Sequence, residues 1–298
     1  MCLSRKVLIL TFIVLLPAVV AAKKRFGDRI VICGDDIVQI LDQSEGWTPT
    51  PNVVWQWSFR ENGSDLPVEY GHRLRTFDDC KPVDHGRRIL ATSSSDATLL
   101  IDIKTRRVLF YAYTPMAHSA ELLPGGRIVV ALSTHRDGNR LEVYDADSSE
   151  KPLFADSLYS AHGVVWNAKR RILYALGYDE LRAYELKDWK TDKPKIVCRQ
   201  VWKLPSIGGH DLTPIGKDSL VVTVHEGPFV FDMNTGEFHP FAPLANRPHV
   251  KSLNYDPRSG RTVFTIAEES WWTHNIYSLS PDHTIGVGDM KLYKVRCF

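Results

Sequence analysis

Six short runs in this chain share one plan, and that repeat restricts the fold more than any other feature. They are RIVICGDD from Arg29, RILATSSSD from Arg88, RIVVALSTH from Arg127, RILYALGYD from Arg171, SLVVTVHEG from Ser219 and RTVFTIAEE from Arg261. Each is apolar and β-branched and ends in small or polar residues, the composition of a buried strand. A second strand-like run follows each, beginning at Ile37, Thr98, Arg140, Glu180, Gly227 and Asn275. A third follows five of them, and a leading element precedes five, beginning at Asp79, His118, His162, His210 and His249. Gly and Pro punctuate the joints, and no long amphipathic helix lies between them.

Six copies of a four-strand unit, about 40–48 residues apart, predict an all-β, six-bladed β-propeller. One four-stranded sheet is too small to bury both faces; stacking sheets around an axis buries them and leaves only short edges. The first copy lacks its leading strand. The C-terminal MKLYKVRCF (Met290 to Phe298) is expected to supply it and close the ring. A seventh blade stays open if Glu61–Thr76 holds further strands.

Residues 1–22 read as a signal peptide: Arg5 and Lys6 precede an apolar run, Val7 to Val20, and Ala21-Ala22 suit a cleavage site. The run is short for a membrane span. The expectation is export to the periplasm or beyond, with residues 23–298 forming one monomeric propeller domain. A formal net charge of +2 gives no reason to invoke nucleic acid or an acidic membrane. Cys33, Cys80, Cys198 and Cys297 are widely and irregularly spaced, so buried thiols are the default; a Cys33–Cys297 bridge across the closure is conceivable.

The leading elements carry the chemistry. His118, His162 and His210 each lie nine residues before the following buried strand, and Asp79 lies nine before Arg88. His249 lies twelve before Arg261, through a longer turn. Innermost propeller strands line the channel, so these side chains are expected to ring one mouth. Neutral imidazoles are good metal ligands, so His118, His162, His210 and His249 form a candidate site for a divalent metal such as Mn, Ca or Zn. His118 and His162 are also candidate acids or bases, with Tyr178 beside them. Loops after the six buried strands should meet the same mouth, bringing His135, His225, Glu226 and the AEESWWTHN stretch (Ala267 to Asn275). There Glu268 and Glu269 are candidate acids, while Trp271, Trp272 and His274 are candidate contacts for a sugar face or hydroxyl.

The stretches AHSAELLPGGRIVVALS, GHDLTP and TIAEESWWT resemble a family of exported bacterial β-propellers found in Bacteroidota and their relatives, one with no assigned reaction. At fold level the histidine-ringed channel also resembles oligogalacturonate lyases, propellers whose axial histidines hold a divalent metal. Those have seven blades where six are counted here, and no catalytic motif is matched. The resemblance implies a carbohydrate-active protein, with a metal-assisted lyase on acidic oligosaccharides as the leading reading. A non-catalytic glycan- or protein-binding propeller and a glycoside hydrolase are the alternatives.

Overall fold

The structure, a computed structural model, describes residues 25–298; the expected signal peptide lies outside the described residues. The chain is a six-bladed β-propeller of antiparallel four-stranded sheets. From the axis outwards, blade one is Leu292–Cys297, Arg29–Gly34, Ile37–Asp42 and Val53–Ser58. Blades two to six each run in chain order from their innermost strands, Phe77–Val83, Ala117–Leu123, Gly163–Asn167, Asp211–Ile215 and Val250–Tyr255.

The ring closes as the repeat requires. The last strand pairs with the first, Ile30 opposite Cys297 and Val31 opposite Arg296. That register keeps Cys33 away from Cys297, and all four cysteines of the described residues are free. Cys33 lies against Cys80 of blade two instead, while Cys198 is exposed, not buried. Glu61–Thr76 holds no seventh blade: short helical turns at Phe59–Asn62, Gly63–Asp65 and Tyr70–Arg73 carry the chain from blade one to blade two. The outer strand of blade six is only His283–Gly286, too short and polar to stand out in the sequence.

Packing follows from strand composition. Arg127–Leu132 is buried along its whole length, because both faces of its blade are covered by neighbours. Between blades one and two, Val31, Val38 and Trp57 pack with Phe77, Ile89 and Leu99. The indoles of Trp55 and Trp57 also donate to the carbonyls of Ile103 and Arg106 on blade two. Burying one such side chain contributes about 1.5–3 kcal/mol. Among the described residues no helix is long and apolar enough to cross a membrane.

Candidate functional site

The innermost strands do not begin as regular strands. In blades two, three and six their pairing slips by one residue, at Asp78, His118 and Lys251, and blade one slips in the same region, around Tyr293 and Lys294. A bulge turns two successive residues towards one side. The result is two stacked layers at one end of the channel, each taking one residue from each blade. The outer layer is Tyr293, Asp78, His118, His162, His210 and Lys251. The next includes Lys294, Asp79, Ser119 and Asp211.

A left-handed residue stands two positions before the outer-layer residue in four blades: Met116, Ser160, Gly208 and His249. In blades three and four it aims its carbonyl back at the ring residue. His118 Nδ1 donates to the Met116 carbonyl at 2.9 Å, and His162 Nδ1 donates to that of Ser160 at 2.8 Å. Glycine is required in blade five because a Cβ on Gly208 would overlap the His225 ring.

This geometry relocates two of the sequence-predicted positions. His249 is the left-handed corner of blade six; it is exposed, and Lys251 takes the place in the ring. Asp79 lies one layer deeper than its counterparts, leaving Asp78 in the ring. The twelve-residue spacing of His249 was the signal that its register differs, but a bulge has no sequence signature that would locate it.

Four imidazoles stand in file from the axis to the surface. Ring centroids are 4.4 Å apart from His118 to His162, 5.9 Å from His162 to His210 and 5.1 Å from His210 to His225. Tyr293 reaches across the channel to touch both His118 and His210. Burial, followed by nearby positive charge, holds the file neutral. His118 is pushed down to about 4, His210 to about 2, and His162 and His225 are also lowered.

Each ring's tautomer follows from its partners. The Nδ1 atoms of His118 and His162 are donors, so their Nε2 atoms carry lone pairs, and neither Nε2 makes a hydrogen bond among the described residues. His210 differs: Lys251 Nζ donates to its Nε2 at 2.8 Å, and its Nδ1 faces the Tyr293 hydroxyl at 3.3 Å. Among the described residues no carboxylate pairs with Lys251. Burial lowers its pKa to about 8, which leaves it an ammonium at neutral pH.

The deeper layer is a charge network that plugs the channel. Arg296 donates to both Asp79 and Asp211, at 2.6–2.9 Å. Lys294 donates to the carbonyls of His118 and His162 and stands 3.3 Å from Asp211. Ser119 donates to Asp79. Two cations of the closing strand thus bind four other blades together. Neither position was anticipated from the sequence, although both lie in the strand assigned to closure.

These residues suit an anion better than a divalent cation. Lys251 occupies the Nε2 of His210, His249 is offset, and the ammonium of Lys294 sits just beneath. Among the described residues no group of three or more His, Cys, Asp or Glu side chains is arranged to hold a metal.

The loop residues surround the mouth in different states. His225 and Glu226 are exposed, and Tyr178 is half-buried with its ring edge-on to Tyr159 and His225. His135 is turned into its own loop, where its Nδ1 accepts from the Asp137 amide. Burial would raise the Glu268 pKa, but hydrogen bonds from Thr273, Tyr277 and Asn275 outweigh it and hold the carboxylate below its ordinary range. A general acid needs the opposite shift. Glu269 is exposed, 3.7 Å from His274 Nε2. Trp272 lies under Lys291 and edge-on to Trp271, which is 58% exposed.

A family model described as a family of unknown function, DUF6528, matches residues 47–298. The chain belongs to this family. The match starts after the first two strands of blade one and takes in every ring residue and the whole charge network. No curated protein matches the chain.

Proposed function

We propose that this member of the DUF6528 family is an exported propeller that takes a small acidic ligand, of the acidic-oligosaccharide class, at its histidine mouth. The observation that carries this reading is Lys251: an ammonium without a carboxylate partner among the described residues, tethered to a neutral imidazole beside two imine nitrogens whose lone pairs have no hydrogen-bond partner among those residues. A buried unpaired cation is costly unless a ligand anion completes it. His225, Tyr159 and Tyr178 offer ring edges and polar tips around it.

The same groups support a lyase. Lys251 would neutralise a uronate carboxylate and so acidify the adjacent C–H. The Nε2 of His162 or His118 would take that proton. The C–H electron pair becomes the new ring double bond, the bond to the neighbouring sugar oxygen breaks, and Tyr178 protonates the departing oxygen. The lowered Glu268 speaks against the hydrolase alternative.

The test is incubation of the purified protein with acidic oligosaccharides, followed by mass and ultraviolet absorbance for an unsaturated product. Turnover that is lost in His162→Gln supports the lyase. Binding without turnover leaves the protein a receptor for the same ligand class. Neither binding nor turnover would overturn the assignment.

A further inference from the structure

The other end of the channel holds a cavity of about 300 Å³. The Arg296–Asp79–Asp211 network separates it from the histidines. Each blade supplies one residue to it from the third layer of its innermost strand: Arg296, Lys81, Glu121, Val165, Thr213 and Asn254. Its volume is at the lower end of small-molecule sites, which run from about 300 to 1,000 Å³.

Three features define what fits. Glu121 projects a carboxylate whose only side-chain partner is Lys81, at a loose 3.4 Å through one oxygen. Trp166 lines the wall and continues into an adjoining groove of about 410 Å³. The charges balance locally: Lys81, Lys294 and Arg296 face Glu121, Asp79 and Asp211. A net ionic ligand would unbalance that set, whereas a neutral one with several hydroxyls beside an apolar face would not.

We propose that this cavity is a second binding site, taking one neutral sugar ring stacked on Trp166, with its hydroxyls donating to Glu121 and accepting from Lys81. Burial raises the Glu121 carboxyl above its ordinary range, which suits sharing a proton with a hydroxyl. The site is independent of the acidic-ligand mouth and would stand if that reading failed.

The test uses methyl glycosides of glucose, galactose, mannose and xylose as probes, followed by saturation-transfer NMR and tryptophan fluorescence. At least one should bind saturably. Glu121→Gln and Trp166→Ala should each weaken it by about tenfold or more. Lys251→Met, at the opposite mouth, should leave it unchanged. Trp166→Phe keeps an aromatic wall should Trp166→Ala misfold, and should retain partial binding. No saturable glycoside binding, or binding indifferent to Glu121→Gln and both Trp166 variants, would overturn the proposal. So would preferential binding of an alkylammonium probe.

Discussion

Acid should destabilise this propeller well above the ordinary carboxylate range. His118, His162 and His210 are buried neutral, with pKa values held far below 6.5 by burial and by Lys251, Lys294 and one another. In the unfolded chain each returns to about 6.5, so on acidification the unfolded state takes up protons that the native state refuses. The native advantage is intact above pH 6.5 and is lost as pH falls below it. Between pH 7 and 5 His118 and His210 each cost about 2 kcal/mol, and His162 adds a loss of the same sign. Asp78 works the other way. Burial raises its carboxyl to about 7, so the native state gains a proton there as pH falls, recovering about 2 kcal/mol, and Glu121, also raised by burial, recovers more. The histidines together outweigh the carboxyls, so the balance is a net loss. Urea unfolding followed by tryptophan fluorescence at pH 7, 6 and 5 measures it. His118→Gln removes one of the three sites and should reduce the pH 7-to-5 loss by about 2 kcal/mol, leaving a flatter profile. Stability that stays flat or rises between pH 7 and 5 in the parent protein would refute the claim that three imidazoles are held neutral.

Two further outcomes follow from the packing. Arg296→Met strands the buried carboxylates of Asp79 and Asp211 and should cost about 3–5 kcal/mol, visible as an early denaturation midpoint; adding Asp79→Asn should restore part of it. Gly208→Ala combines a left-handed φ of 76° with overlap on the His225 ring, so it should cost about 1 kcal/mol or more and broaden or shift the His225 imidazole resonances.

Much of the fold was legible in the sequence because the buried strands repeat with little interruption. RIVVAL and RILYAL have the same pattern for the same reason: both are the second strand of a blade covered on both faces. The closing role of Leu292–Cys297 was legible by subtraction, since one blade lacked an inner strand. The site was legible only in part. Counting back from the buried strands brought His118, His162 and His210 to one mouth, but the count assumes an unbroken register. The bulges break it, which moved His249 out of the ring and hid Lys251 two residues further on. Lys294 and Arg296 were invisible for another reason: a basic residue in a terminal strand reads as solvated unless its carboxylate partners, for Arg296 85 and 217 residues away, are known. The hydrogen bonds that hold Glu268 are likewise a matter of loop closure rather than of local composition.

If Lys251 and the neutral histidines form a site for an acidic ligand, calorimetric titration will register it. The protein and its Lys251→Met variant would each be titrated with an oligogalacturonate and with the corresponding neutral methyl ester. The parent protein should bind the acid saturably, and the ester and the variant should each show binding at least about tenfold weaker. Equal affinity for acid and ester, or undiminished binding by Lys251→Met, would contradict it.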